Sequence, residues 1–424
     1  MSRLRIGFAG LTHLGLVSAA AAAAQGFDVV AADHDADRVA AIERGSLPVV
    51  EPGLDNLVRR HRSHLKFSTD FSALTACDIV YISTDVPTDE RGSGDLTSIA
   101  GLIDKVIEVL RADGLLIILC QVPPGFTRRL PVPGPRRYYQ VETLIFGRAV
   151  ERATKPERFI VGCDDPQAPL PPAYRMLLES FECPILPMRY ESAELAKIAI
   201  NCCLVASITV ANTLAELSEK IGADWAEVAP ALRLDQRIGP HSYLAPGLGI
   251  AGGNLERDLA TVLRLSESVG SDASVVRAYL GNSAHRRDWA LRVLHREVLS
   301  DTPDAVIGVL GLAYKENTHS TKNSPSLALL AHLGSWRLRL YDPIVPVEAA
   351  SRSDAVAARS AIDAARDIDA LLVMTPWPQF REVPPDELRR VMRGRVVIDP
   401  YRVFDADAMR AAGLRHFVLG RGEV

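Results

Sequence analysis

The sequence predicts an α/β protein with two Rossmann-like, doubly wound parallel-sheet domains joined by a helical domain with a long central helix. Three observations carry this. The chain opens as strand, glycine turn, helix and strand. From Ser192 to about Ile221 an apolar helical pattern runs without Gly or Pro. From Asp304 a second series of short apolar strands begins, again with a strand ending in glycine. With 424 residues the chain exceeds one ordinary domain. The expected division is 1–188 for the first sheet domain, 189–300 for the helical domain and 301–424 for the second sheet domain.

Taken in order, Arg3–Ala9 is an apolar strand that stops at Gly10. A helix is expected over His13–Gln25 and a second strand over Asp28–Ala32, which together make a βαβ opening. Further buried strands are expected at Cys77–Ser83, at Leu115–Cys120 and near Arg158–Gly162. Alternation with helices implies a parallel sheet covered on both faces. In the middle, Ala193, Leu195, Ala196, Ala199, Ile200, Cys203, Leu204 and Ile208 recur at helical spacing. A helix of that length links domains or forms a subunit contact, so the helical domain extends to about Leu299. Strands at Asp304–Gly311, Trp336–Asp342, Ala370–Thr375 and Val396–Asp399 then build a smaller α/β unit. It repeats the first half in architecture but not in sequence.

Composition narrows the function. Hydrophobic residues make up 48% and charged residues 24%, as in a globular protein with large cores. A net charge of -4 with scattered Arg and Lys argues against a nucleic-acid partner. No stretch offers the roughly 18 uninterrupted apolar residues of a membrane span, and the Ala-rich run Ser18–Gln25 reads as a buried helix rather than a signal peptide. Cys77, Cys120, Cys163, Cys183, Cys202 and Cys203 have neither metal-ligand spacing nor the density of a disulfide scaffold. They are expected to be core thiols of a cytoplasmic protein that holds no metal.

The opening turn carries the first chemistry. It reads Gly10-Leu11-Thr12-His13-Leu14-Gly15, where a dinucleotide fingerprint has three glycines and Thr12 takes the place of the middle one. The turn follows a strand and opens a helix, and Asp33 ends the next strand, where a carboxylate can accept hydrogen bonds from ribose hydroxyls. An acidic residue there favours NAD over NADP, because a 2′-phosphate would meet a like charge.

Longer segments carry a resemblance. Asp33–Arg38, Glu51-Pro52-Gly53-Leu54, Val122-Pro123-Pro124-Gly125, Glu191–Asn201, Asp235–Gly239 and Pro246–Asp258 occur in this order. Gly311–Lys315, Ser324-Pro325, Tyr341-Asp342-Pro343 and Thr375-Pro376-Trp377 follow. In this ordered series the chain resembles the UDP-glucose/GDP-mannose dehydrogenase family along nearly its whole length. The resemblance implies oxidation of a primary alcohol to an acid by two hydride transfers, with a cysteine that captures the intermediate aldehyde. It implies proton-handling roles for Lys197, Asn201 and Asp258, and a role in thioester hydrolysis for Glu142. Arg38, Val86 and Lys322 are implied beside the cofactor. Arg237, Tyr243, Gly249, Lys315 and Arg402 are implied at the substrate, with Arg237 reaching a neighbouring subunit's substrate. At least a homodimer through the central helical domain is therefore expected.

The departures from the family pattern matter more. Where that pattern has the nucleophilic cysteine, two residues, lysine and aspartate, this chain reads Asn254-Leu255-Glu256-Arg257-Asp258. Cys120-Gln121 stands in place of Ser-Thr, and Phe146 in place of a second glutamate. The connection from Thr127 to Glu142, with Pro131, Pro133 and Pro135, looks shorter and less helical than usual. An amide cannot form a thiohemiacetal. The expectation is hydride transfer without acyl-enzyme chemistry on a nucleotide sugar or nucleoside sugar. In its redox-neutral form, transient oxidation is followed by dehydration or epimerisation. Glu142 acts as base, Lys197 and Asn201 stabilise an alkoxide or enolate, and Asn254 and Gln121 orient hydroxyls. Two alternatives stay open: a two-electron alcohol dehydrogenase, and a non-catalytic sugar-nucleotide binding subunit.

Overall fold

The computed structural model describes residues 4–86 and 95–422. They fall into two compact units, Met1–Ile200 and Asn201–Val424. Arg3, where the sequence begins the first strand, lies outside the described residues; the strand runs from Arg5 to Ala9.

The first unit is built on an eight-stranded sheet. In chain order its strands are β1 (Arg5–Ala9), β2 (Asp28–Ala32), β3 (Leu65–Ser68), β4 (Ile79–Ile82), β5 (Leu115–Ile118), β6 (Arg137–Gln140), β7 (Phe159–Cys163) and β8 (Ile185–Arg189). They lie side by side as β3-β2-β1-β4-β5-β6-β7-β8. The order reverses between β1 and β4, the switch point where such sheets bind ligands beyond their carboxyl ends. In register, Phe8 lies opposite Ala31 on one side and Tyr81 on the other. The four residues of β4 and the four of β5 are all buried, so these strands read as continuous apolar runs rather than alternating ones.

The sheet corrects one expectation: β6 and β7 pair antiparallel, Tyr139 opposite Gly162 and Gln140 opposite Val161. β6 still runs parallel to β5, so the chain reverses between β6 and β7. The proline-rich connection before β6 holds two short 3-10 turns, Thr127–Arg129 and Gly134–Arg136, and then β6 itself. Its sequence, Arg-Tyr-Tyr-Gln, hides a buried strand because its polar ends find partners inside. Gln140 Oε1 accepts hydrogen bonds from the hydroxyls of Tyr81 (3.0 Å) and Tyr174 (2.9 Å). The Arg137 guanidinium lies 5.1 Å from the Tyr190 ring centre and donates to the Leu130 carbonyl.

The first helix, His13–Ala24, buries its run Ala19–Ala23. These small side chains let the helix approach both the sheet and helix Ala149–Thr154.

In the second unit, six strands form the order β11-β10-β9-β12-β13-β14. They are β9 (Val306–Leu310), β10 (Arg337–Tyr341), β11 (Val356–Ala357), β12 (Ala370–Val373), β13 (Val396–Ile398) and β14 (Arg415–Phe417). Every neighbouring pair is parallel, and the order reverses between β9 and β12. Before the sheet come helices Trp225–Leu234, Asn254–Val269, Ser274–Arg287 and Trp289–Leu294. Val205, Ile250, Leu259 and Val276 form a small separate core among the helical elements.

The long helix spans Tyr190–Ile221, two residues earlier than its apolar pattern begins. By length and composition it could cross a membrane, with a mean hydropathy of 1.8 over its most apolar window. Asn201 and Asn212 interrupt that window, and both are buried with partners: Asn201 donates to Asp258, and Asn212 accepts from the Gly247 N–H at 2.8 Å. All six cysteines are free thiols.

Candidate active site

At the end of β1 the chain turns through Gly10, at φ +97°. A Cβ on Gly10 would lie 2.9 Å from the Thr84 Cβ, and one on Gly15 would lie 1.8 Å from the Gly10 carbonyl oxygen. Sterics therefore demand both outer glycines. The middle position is not so constrained. Thr12 is extended (φ -71°, ψ -172°) before the first helix, and its hydroxyl accepts from the Asp85 N–H at 2.8 Å. Leu11 and Leu14 are buried in the core and so line the turn with backbone rather than side chain.

Asp33, 1% exposed, ends β2 beside this turn. Its carboxylate accepts from the Leu11 N–H (2.6 Å), the Asp35 N–H (3.0 Å) and Arg38 Nη1 (2.8 Å). The expectation of a carboxylate held open for ribose hydroxyls is thus sharpened: Asp33 first braces the turn, and only its remaining lone pairs face a ligand. Arg38 is tied to Asp33 and to Asp35. Val86 is half-buried just beyond β4. His13 is buried, with Nε2 3.0 Å from Glu51 Oε2 and its ring stacked on Phe146 at 4.1 Å.

Two of the expected catalytic residues pair within the same unit. Lys197 Nζ donates to Glu142 Oε2 at 2.9 Å, the two side chains being 12% and 17% exposed. Glu142 also accepts from the Leu144 N–H. Glu142 is thus a largely buried, paired carboxylate. Gln121 is half-buried after β5, at the head of the loop through Val122-Pro123-Pro124-Gly125. Glu194, fully buried on the long helix, holds that loop by accepting from the N–H groups of Gly125 (2.5 Å) and Thr127 (2.8 Å). Burial raises the Glu194 pKa, and the backbone N–H groups oppose the rise.

The second unit forms the other pair. Asn201 Nδ2 donates to Asp258 Oδ2, and both residues are buried. Arg257 Nε lies 3.7 Å from the other Asp258 oxygen. Asn254 is exposed as the first residue of helix Asn254–Val269. One helical turn separates it from Asp258, so both lie on one helix face. The free N–H groups of a helix start favour developing negative charge nearby.

The turn before Asn254 is built of glycines for steric reasons. A Cβ on Gly249 would lie 2.4 Å from the Ser283 carbonyl oxygen, and one on Gly252 would lie 3.1 Å from the Tyr314 ring. The Lys322 carbonyl accepts from the Gly252 N–H at 3.0 Å, and Asn323 Nδ2 donates to the Gly252 carbonyl. Lys322 therefore buttresses this turn with its backbone.

The remaining expected substrate residues divide. Lys315 Nζ lies 5.7 Å from the Tyr314 ring centre. Tyr243 is 44% exposed, and the Arg237 side chain, 88% exposed, folds back on Asp235. Arg402 is held within its own chain. In a left-handed turn (φ +53°) it donates to Asp224 at 2.5 Å and to the Leu419 carbonyl. A substrate would have to open that ion pair to reach it.

The second sheet repeats the bracing device of the first. Gly311 ends β9 at φ +95°, and Asp342, just after β10, accepts from the N–H groups of Leu312 (2.7 Å) and Ala313 (3.1 Å). Glu51, Glu194 and Asp342 lie within the motifs that carry the family resemblance, where the sequence alone gives them no role. Their signal was available: each is acidic among apolar neighbours, where a carboxylate needs donors.

Three domains of one family match this chain in order: the NAD binding domain over residues 4–179, the central domain over 191–282 and the UDP binding domain over 308–406. The chain belongs to the UDP-glucose/GDP-mannose dehydrogenase family. UDP-glucose 6-dehydrogenase TuaD of Bacillus subtilis is 29% identical over 99% of this chain and 94% of its own length. The UDP-glucose 6-dehydrogenase of Pseudomonas aeruginosa is also 29% identical, over 99% of this chain and 98% of its own. The structure of a UDP-glucose dehydrogenase from Pyrobaculum islandicum superposes with a TM-score of 0.86 at 27% identity, covering 99% of this chain and 98% of that one. A UDP-D-ManNAc dehydrogenase from Pyrococcus horikoshii, at 24% identity and TM-score 0.86, covers 99% of this chain and all (100%) of its own and shares the fold. As a member of this family of NAD-dependent nucleotide-sugar dehydrogenases, the chain uses NAD and takes a nucleotide-sugar ligand. The Gly10–Gly15 turn, whose two outer positions have no room for a Cβ, fits that cofactor.

Proposed function

We propose that this family member transfers hydride at a carbinol of a nucleotide sugar or nucleoside sugar without covalent capture of an aldehyde, in a redox-neutral cycle. The observation that carries this reading is Asn254 at the start of helix Asn254–Val269, set against two retained pairs, Lys197–Glu142 and Asn201–Asp258. When bound, NAD supplies the hydride acceptor and, on return, the donor. Lys197 and Asn201, one turn apart on the long helix, hold charge at the reacting oxygen. Glu142, released from Lys197 as the substrate oxygen takes its place, removes the proton made acidic by the neighbouring carbonyl. Loss of a β-hydroxyl then gives dehydration, and reprotonation on the other face gives epimerisation. Asn254 and Gln121 orient hydroxyls. Burial and the Asp258 charge both raise the pKa of Cys202, on the long helix beside Asn201, and disfavour its thiolate.

Anaerobic incubation of nucleotide-sugar substrate with catalytic NAD in deuterated water is expected to give product carrying solvent deuterium and no NADH beyond the amount of enzyme. The named relatives favour a second reading, a net alcohol dehydrogenase, which would accumulate NADH in proportion to substrate. A silent binding subunit would bind both ligands and exchange nothing.

We also propose a homodimer through the central helices. Val210, Leu214, Leu217 and Ile221 are spaced along one face of the long helix and are 53%, 39%, 50% and 66% exposed in the single chain. Such a stripe is costly to leave in water. Leu217→Glu is expected to convert a dimer to monomer in sedimentation; a wild-type monomer at micromolar concentration would overturn the proposal.

A further inference from the structure

We propose that His13, Glu51 and Phe146 form a clamp through which occupancy of the dinucleotide turn positions the segment that carries Glu142. Three contacts converge on this clamp. His13, in the first turn of the first helix, places Nε2 3.0 Å from Glu51 Oε2. The same Glu51 carboxylate, 5% exposed, accepts from the N–H groups of Gly147 (3.0 Å) and Ala149 (2.8 Å). The His13 ring stacks on Phe146 with ring centres 4.1 Å apart and planes inclined by 23°. One buried carboxylate thus joins the dinucleotide turn to the far end of the Glu142 segment, and an aromatic stack makes a second tie beside it.

At its near end the segment packs on the core through Val141 and Leu144, and its far end is held by these ties. Between the first helix, at Leu14, Ser18, Ala21 and Ala22, and the segment, at Glu142 and Leu144, lies a cavity of about 70 Å³. Side chains that border a cavity lose part of the dense contact that fixes a core side chain. One of the fastenings of the segment is His13, the residue that follows Thr12 in the cofactor turn. A ligand on the turn restrains His13, and His13 restrains residues 143–149. Glu51 and Phe146 are accordingly positioning residues; they act on the reaction through Glu142, which rests on the role proposed for Glu142 above.

Hydrogen–deuterium exchange tests the coupling without turnover. In the wild type, NAD is expected to slow exchange of the amides of residues 143–149 at least about fivefold, the lower end of ordinary coupling between sites. Phe146→Tyr keeps the stack and should keep this protection. Phe146→Leu, at a position 38% exposed and therefore tolerant, should lose it and bind NAD more weakly by a matching factor, since coupling is reciprocal. Equal NAD protection in Phe146→Leu, or none in a wild type that binds NAD, overturns the clamp. Glu142→Gln separates the two readings: it should retain NAD protection even if exchange of substrate hydrogens proves independent of Glu142.

Discussion

Gly15→Ala is expected to raise the dissociation constant for NAD by about 100-fold or more, an effect of about 2.7 kcal/mol. The reason is geometric. The new Cβ would sit 1.8 Å from the Gly10 carbonyl oxygen and 2.8 Å from that of Ser83, both backbone atoms that cannot swing aside. The first helix must move away from β1 by more than an ångström, taking with it the N–H groups that face a diphosphate. Ser83 donates to the Gly10 and Ala9 carbonyls, so the shift also breaks bonds that join β1 to β4. Calorimetric titration with NAD measures the loss, and thermal unfolding reports the strain. Gly101→Ala is the control: it lies within helix Thr97–Val109 with nothing within 4 Å of the added Cβ, and should leave NAD binding unchanged. Near-normal affinity in Gly15→Ala would mean that the cofactor does not lie on this turn.

The two doubly wound sheets were legible because β1, β2, β9 and β12 are buried runs punctuated by glycine or aspartate. The long helix was legible because no Gly or Pro interrupts it. What escaped was polar residues buried with partners far along the chain. β6 reads as a polar stretch until Tyr81 and Tyr174 are seen to satisfy Gln140, partners 59 and 34 residues away. Glu51 and Glu194 act through backbone N–H groups, and a sequence does not show where an N–H points. Arg402 shows the same limit from the other side: the family resemblance implies a substrate contact, and in the folded chain its guanidinium also pairs with Asp224. Side chains that bind their own chain and side chains that bind a ligand are chemically alike, so pattern alone does not separate them.

That ambiguity is sharpest at Lys197, where one ammonium serves both a carboxylate of its own chain and, on the proposed reading, a reacting oxygen. Lys197→Met is expected to lower turnover about 1,000-fold, within the range for loss of a charge-stabilising or proton-transferring group, while NAD affinity stays within about twofold. Methionine keeps the bulk of the stem and removes the charge, leaving the Glu142 carboxylate, 17% exposed, without its 2.9 Å partner. Glu142→Gln should cost a similar factor for a different reason: it removes the base and leaves the ammonium. If the two act as a unit, the double variant loses little more than either single one, because each single change already disables the pair. Independent roles would instead multiply to about a million-fold. A purely structural ion pair would give a third outcome, in which unfolding free energy falls in both variants while the turnover of the folded fraction holds. Measuring substrate hydrogen exchange alongside denaturant unfolding for the three variants distinguishes these cases, and only the first is compatible with Lys197 and Glu142 sharing one proton-handling step.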